Sequence, residues 1–474
     1  MSLLEPDICV IGAGSGGLSV AAGASQMGAR VVLIEKASMG GDCLNYGCVP
    51  SKALLAAGHV AQSMREASLF GLKKNSPTVS FEKVHRHVHE VIRAIAPHDS
   101  VERFEGLGVR VLKTEASFID EKTVKAGDYL VRPKYFVIAT GSHPFIPPLK
   151  GLEKVPFLTN ETLFDLKECP DHLIILGGGP IGIEMAQAFQ RLGAKVTVVQ
   201  SHSILPKDDP ELVDVIRQKL LSEGVTFIEG ARAVSVKSSG KNVSLTYKSE
   251  KEEKTVSGSH LLVAVGRRPS LKALNLKAAG LDSSSKGINV DQRLRSSQKH
   301  IYALGDAIGQ HQFTHMASYH AGLVIRNILF KWPAKLSSKA IPRVTYTDPE
   351  LAHVGMTEKE ARTQEGSSFK SMTFPFNEND RAQAEHATEG LIKVLTTKRG
   401  HVLGVSIAGK GAGELIFPWS LAITKKMRLS DLAGTIIPYP TYSEVSKRVA
   451  GSFYTPALYG HKTRAVVRFL MRWF

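Results

Sequence analysis

Cysteine is scarce in this chain. Its 474 residues contain four, Cys9, Cys43, Cys48 and Cys169, too few to staple a secreted scaffold, so a reducing compartment is expected. Long apolar runs are missing too: nothing approaches the ~20 consecutive apolar residues of a membrane span. The opening Met1-Ser-Leu-Leu-Glu-Pro-Asp7 shows no basic region, apolar stretch or cleavage site of a secretory signal. Together these absences set the expectation of a cytoplasmic protein. Acidic residues are absent from Val445 to Phe474, where Lys447, Arg448, Lys462, Arg464, Arg468 and Arg472 supply more than a third of the net charge of +16. The other basic residues are scattered and form no nucleic-acid motif, which argues against a nucleic-acid partner.

What is present is globular. Hydrophobic residues make up 43% and charged residues 22%, enough to build cores, and the length asks for about two to four domains. Ile8-Cys-Val-Ile11 runs into Gly12-Ala-Gly14-Ser-Gly16-Gly17, an alanine-rich helical stretch and Val31-Val-Leu-Ile-Glu35. This is the pattern of a βαβ unit. The same order returns in Leu173–Leu176, Gly177-Gly-Gly179-Pro-Ile181-Gly182, a helix through Arg191, and Val196–Val199. In such a turn the first glycine lets the chain reverse, the second admits a pyrophosphate and the third brings helix against strand. Two copies predict two dinucleotides. Glu35 ends the second strand of the first copy, where a carboxylate accepts both ribose hydroxyls. The equivalent residue of the second copy is Gln200, a weaker acceptor that does not repel a 2′-phosphate. No Arg lies between Val199 and Lys207, which tilts the reading towards NADH.

Gly40-Gly41-Asp42-Cys43-Leu-Asn-Tyr-Gly47-Cys48-Val-Pro-Ser-Lys52 carries the most specific signal. Its cysteines are spaced so that, at the opening of a helix, they can form a strained, reducible disulfide. The bland alternative is a pair of buried structural cysteines, the simplest reading for Cys9 within its apolar strand and for Cys169 before Pro170. This segment resembles the redox-active motif of the class I pyridine nucleotide-disulfide oxidoreductases, the family of dihydrolipoamide dehydrogenase, glutathione reductase and mercuric reductase. Ala139-Thr140-Gly141-Ser142 is similar to the family's turn between nucleotide domains, and Ala303-Leu-Gly-Asp306 to its second FAD motif. Tyr346-Thr-Asp-Pro-Glu-Leu-Ala-His-Val-Gly355 is similar to its interface signature.

The resemblance implies an α/β fold: two Rossmann-like domains for FAD and NAD(P), plus an α+β C-terminal dimerisation domain. The expected divisions are an FAD domain over 1–150 and 267–338, an NAD(P) domain over 151–266, a dimerisation domain over 339–460 and a basic tail over 461–474. FAD would be held by Gly12, Gly14, Gly17, Glu35, Lys36, Gly41, Lys52, Ala116, Thr140, Gly141, Asp306 and Ala317. The nicotinamide nucleotide would be held by Gly177, Gly179, Ile181, Gly182, Gln200 and Gly266. Electrons would pass from nicotinamide through flavin to Cys43–Cys48, with Cys48 the thiolate beside the flavin and Cys43 the exchange thiol. Lys52 and Glu184 would pair near the flavin; from residue type alone both are ordinary helix-surface charges. A homodimer with a composite active site is implied, and no metal site.

The pattern departs from the family near the C-terminus. Where its disulfide reductases carry His-Pro-Thr-x-x-Glu, this chain has Tyr439-Pro-Thr-Tyr-Ser-Glu444. A tyrosine, with a pKa of ~10, cannot replace an imidazole cycling near neutrality. The chain is similar to mercuric reductase in having Tyr near this place, yet its end, Arg468-Phe-Leu-Met-Arg-Trp-Phe474, lacks the vicinal cysteine pair. The expectation is therefore a mercuric-reductase-like enzyme with another acceptor: a small molecule such as a metal ion or quinone, or a protein disulfide. A general thiol disulfide reductase and a redox-sensing docking subunit remain the competing readings. Arg464, Arg468 and Arg472 share one helical face with Val467, Leu470, Met471 and Phe474 largely opposite, the pattern of a peripheral membrane helix or of a helix docked on its own dimer. His85 and His89 share a face as well, and solvated histidines are the simpler reading.

Overall fold

The computed structural model describes residues 1–473 apart from 241 and 251; Phe474 of the basic tail lies outside the described residues. The first βαβ unit is the strand Ile8–Ile11, the helix Ser15–Gln26 and the strand Val31–Ile34. These strands join Val109–Leu112, Tyr135–Ile138 and Ile301–Ala303 in one parallel five-stranded sheet. The chain thus leaves this sheet after Ile138 and returns to it at Ile301. Four of its five strands read as unbroken apolar runs because both faces of the sheet are covered; Leu18, Val20 and Ala21 of the helix and Phe118, Val124 and Val131 from a later strand meander share its core.

The second unit repeats the scheme. His172–Leu176, Lys195–Val199, Thr226–Ile228 and His260–Val263 form a parallel four-stranded sheet, and Pro180–Arg191 is the helix after the glycine turn. Both turns need their third glycine for the same reason. A Cβ on Gly17 would stand 1.8 Å from the Gly12 carbonyl oxygen, and one on Gly182 would stand 2.0 Å from that of Gly177. Each parallel sheet also sends out an antiparallel meander: Ala116–Phe118, Val124–Ala126 and Tyr129–Val131 in the first unit, Ala231–Ser239, Asn242–Ser249 and Glu252–Gly258 in the second.

From Arg343 onward the strands run antiparallel. Arg343–Thr345, Glu350–Gly355, Val402–Gly409, Leu391–Thr397 and Phe369–Pro375 lie in that order in one antiparallel sheet. Only the short helices Glu358–Glu365 and Asp380–Ala384 interrupt these strands, and the remaining helices follow the last strand. Antiparallel neighbours need only a turn between them, so no crossover helix is required. Trp419 is fully buried against this sheet, its indole N–H donating to Ser446 Oγ at 3.0 Å.

The helix Pro180–Arg191 is gripped between the second and third units. Gln187 Nε2 donates to the Asp348 carbonyl at 2.8 Å and Gln187 Oε1 accepts from Asp348 N at 2.7 Å. The buried Arg191 guanidinium pairs with Glu223 at 2.6 Å and Asp348 at 3.0 Å. Replacing one partner of such a buried pair leaves an uncompensated charge, which costs about 3–5 kcal/mol. The grip therefore fixes the helix that carries Glu184. Among the described residues no helix is long and apolar enough to cross a membrane.

Candidate redox site

Cys43 lies in the short helix Gly41–Asn45, the chain reverses at Tyr46 and Gly47, and Cys48 opens the long helix Cys48–Glu66. The two thiols are unbonded, Cys43 half-buried and Cys48 exposed, and they hydrogen-bond to each other. That bond, from Cys43 to Cys48, is the main reason the Cys48 thiol falls to about 6; Thr314, whose hydroxyl stands 3.4 Å from the Cys48 sulfur, and the Lys52 ammonium act in the same direction. The helix N-terminus also favours a thiolate there. Cys43 is pushed the other way, first by its bond to Cys48 and then by burial. The two shifts bias the pair towards a thiolate on Cys48 and a thiol on Cys43.

Lys52 is one helical turn beyond Cys48, and its ammonium meets Glu184 Oε2 at 2.8 Å across 132 positions of sequence. The second carboxylate oxygen, Oε1, accepts from Tyr346 N at 3.0 Å. The Tyr346 ring also lies under the Lys52 ammonium, 4.3 Å from its centroid. Glu184 is buried, so its charge is held by named donors rather than by water.

A second network ties the cysteine loop to the first sheet. Arg267 pairs with Asp42 at 3.0 Å and donates to Ser142 Oγ at 2.8 Å, while Ser142 donates to Asp306 Oδ2 at 2.6 Å. Asn160 donates to Asp42 and to the Tyr46 carbonyl. Burial raises the Asp306 carboxyl above its ordinary range.

The remaining first-copy residues form a cradle. The backbones of Gly14 and Gly41 approach so closely that a Cβ on Gly41 would lie 2.7 Å from Gly14 Cα. The buried Glu35 carboxylate accepts from Ala13 N and Ala37 N, each at 2.6 Å. Thr140 has a buried hydroxyl with no partner among the described residues, beside Gly141 in a left-handed conformation. Ala317 packs beside Gly16 and Gly305. Lys36 turns outward to Glu115 at 3.2 Å, and Ala116 is in the core. In the second copy Gly179 faces open space, Ile181 is exposed, and Gly266 has φ +125°. Gln200 Oε1 accepts from Gly178 N at 3.0 Å.

Tyr439 and Glu444 are not part of this cluster within one chain. Among the described residues no hydrogen bond or ion pair joins either to Cys43, Cys48, Lys52 or Glu184. The exposed Tyr439 donates to Asp380 Oδ2 at 2.8 Å, a bond that raises its pKa. Glu444 lies 4.0 Å from Arg448. Cys9 is buried and Cys169 half-buried. His85 and His89 pack ring to ring with centroids 4.2 Å apart, and among the described residues no group of three metal-ligating side chains gathers. Thr314, Tyr346, Arg267 and Asn160 escaped the sequence reading. Of these only Tyr346 stood in a quoted segment, as its first residue.

A dithiol set between two dinucleotide-type glycine turns defines a nucleotide-dependent thiol oxidoreductase. Residues 6–321 match the family profile described as pyridine nucleotide-disulphide oxidoreductase, and residues 341–450 match its dimerisation domain. The chain belongs to this family. It is 32% identical over 450 residues to a mercuric reductase of Staphylococcus aureus, covering 94% of this chain and 82% of that protein. It is 36% identical over 456 residues to a dihydrolipoyl dehydrogenase of Bacillus subtilis, covering 94% and 96%. Among solved structures, the Cu(II) complex of the HOCl-induced flavoprotein disulfide reductase RclA from Escherichia coli superposes with a TM-score of 0.85 at 27% identity, over 94% of this chain and 99% of that one.

The family uses FAD and a pyridine nucleotide, and the residues present fit FAD. The unpartnered Thr140 hydroxyl, the bare Gly14–Gly41 approach and the half-buried Asp306 supply a donor, space and an acceptor just beyond the C-terminal ends of three strands of the first sheet.

Proposed function

We propose that this chain is an FAD-dependent NAD(P)H oxidoreductase whose Cys43–Cys48 pair delivers electrons to a thiophilic metal ion, in a homodimer whose active site is completed by Tyr439 and Glu444 of the partner subunit. The observation that carries this reading is the placement of two unbonded thiols at the opening of one helix, with Cys48 Sγ 3.4 Å from the Thr314 hydroxyl and drawn towards thiolate by Cys43. Two soft sulfur ligands side by side suit such an ion. Likeness to mercuric reductases and to a reductase solved with Cu(II) supports the same class. A small disulfide is disfavoured because Tyr439 cannot cycle a proton near neutrality as His does. A quinone and a protein disulfide are the other acceptors to be compared.

When bound, FAD supplies two-electron exchange between nicotinamide and the thiol pair. Glu35, Thr140 and Asp306 would hold it, with Gly14 and Gly41 leaving room for its pyrophosphate. Lys52, fixed by Glu184 and Tyr346, would keep a positive charge beside Cys48. In the oxidative half, the thiolate and the thiol become a disulfide, releasing one proton and two electrons, which reduce two Cu(II) to Cu(I) or one Hg(II) to Hg(0). In the reductive half, NAD(P)H and the disulfide give NAD(P)⁺, one thiol and one thiolate. Gln200 would face the adenosine ribose, and the lack of a nearby Arg favours NADH. The supply of this nucleotide and the low cysteine count support a cytoplasmic setting.

Anaerobic titration of the holoprotein with NADH, and separately NADPH, tests the first half. A long-wavelength thiolate band should appear at two electrons, and bleaching without that band overturns the dithiol route. Turnover with Cu(II), Hg(II), a quinone, lipoamide, oxidised glutathione and a protein disulfide tests the second. Metal ions should give the highest kcat/KM, and a preference for lipoamide or glutathione overturns the acceptor assignment.

A further inference from the structure

The sequence beyond the dimerisation-domain profile, which ends at residue 450, carries a feature that thiol chemistry does not use. His461–Trp473 is a continuous helix with no buried residue. Its apolar side chains stand in the open, from 46% exposed at Leu470 to 81% at Met471. The connections to the rest of the chain are local: Thr463 Oγ1 donates to the Ala457 carbonyl at 2.7 Å, and Arg464 N donates to the Gly460 carbonyl at 3.0 Å.

The faces of this helix are sorted. At ~100° per residue, Val466, Val467, Phe469, Leu470, Met471 and Trp473 fill an arc of about 200°, and Arg464, Arg468 and Arg472 fill about 80° of the remainder. Lys462, in the first turn, projects about 20° inside the edge of the apolar arc, where its stem can lie along the apolar surface with the ammonium reaching past the end of the helix. No acid occurs on the helix or anywhere after Glu444. An apolar arc this wide, with aromatic residues at its C-terminal end and three arginines together on its polar side, matches a surface that is apolar within and negatively charged at its rim. A surface of protein would have to present both properties together; an anionic bilayer presents them everywhere.

We propose that the helix His461–Trp473 lies in the interface of an anionic phospholipid bilayer, with its apolar arc among the acyl chains and Arg464, Arg468 and Arg472 against the lipid phosphates, holding the enzyme at a membrane surface. The helix is about 20 Å long, suited to lying in the interface and too short to span. This docking stands apart from the identity of the electron acceptor, and either can fail without the other.

The test uses full-length holoprotein, co-sedimented with phosphatidylcholine vesicles with or without phosphatidylglycerol. The protein should sediment with the anionic vesicles and bind pure phosphatidylcholine far more weakly. The triple variant Arg464→Gln/Arg468→Gln/Arg472→Gln should lose affinity by about a hundredfold, at roughly fivefold per cation. Phe469→Ser/Trp473→Ser should abolish binding even at low salt. Flavin content and NADH-driven reduction of the thiol pair should be unchanged in both, which separates lost docking from lost folding. Equal binding of the wild type and the arginine variant to anionic vesicles overturns the proposal. So does a wild-type protein that ignores vesicles while deletion of residues 461–474 converts a dimer to monomers, because the helix then covers its own partner subunit.

Discussion

The two ends of the proposed electron path are built differently. At the input end one chain supplies every part: Cys48, Lys52, Glu184, Tyr346 and Thr314 interlock, and the helix bearing Glu184 is clamped by Gln187 and Arg191. At the output end, within one chain, Tyr439 is exposed and bonds to Asp380, and among the described residues the one ion pair of Glu444 is with Arg448 at 4.0 Å. A buried, multiply bonded group resists substitution because each partner would be left unsatisfied. An exposed one can be exchanged at little cost to the fold. On the proposed reading, acceptor choice would be the adjustable property of this scaffold, and thiolate formation the rigid one.

The largest predicted effect breaks the input end outright. Cys48→Ser should lower turnover with any acceptor by at least about 10³-fold, as loss of a nucleophile does, and remove the long-wavelength band on NADH titration. In the intact protein that band should titrate near pH 6, full above it and lost below, because only the thiolate absorbs. A band that persists to pH 4 would show that Cys48 is not the absorbing sulfur. Next is Glu184→Gln, which leaves the Lys52 ammonium without its counter-charge. Turnover should fall by about 10²-fold, the scale of one lost electrostatic contact in a site, while flavin content is kept. An unchanged rate would return Lys52 and Glu184 to the status of a structural pair.

Tyr439→His sharpens the comparison from the other side. If the output end is exchangeable, the variant should fold normally and gain activity with lipoamide or oxidised glutathione by about tenfold or more, the lower range of general acid–base help. Stopped assays across pH would show the gain rising as the imidazole becomes neutral. No gain with any disulfide would mean that the acceptor is excluded by shape rather than by proton chemistry.

Much of this arrangement was legible in the chain. Both glycine turns, the strands that flank them and the cysteine segment declare themselves through short-range spacing, which the backbone must obey. Lys52 and Glu184 were legible only by resemblance, since residues 132 positions apart carry no local mark of contact. Thr314, Arg267 and Asn160 were missed for the same reason: they reach the site from a helix start, a short strand and a turn whose own sequences look ordinary. The meander strands Ala231–Ser239 and Asn242–Ser249 did carry a signal, the alternation of Val243, Leu245 and Tyr247 with polar residues.

The smallest effect separates the two glycine turns themselves. They share one backbone solution, yet Glu35 uses both oxygens on backbone N–H groups whereas Gln200 gives one oxygen to Gly178 N and its amide to the Ser203 carbonyl. Gln200→Glu keeps the acceptor for Gly178, discards the amide donor and adds a negative charge where a 2′-phosphate would sit. The ratio of kcat/KM for NADH over NADPH should therefore rise by about fivefold, equivalent to about 1 kcal/mol for one charge-assisted hydrogen bond, with no change in the thiolate band. A ratio that falls or stays level would mean that the ribose is read elsewhere in the second unit, and that the likeness between the two turns ends at their glycines.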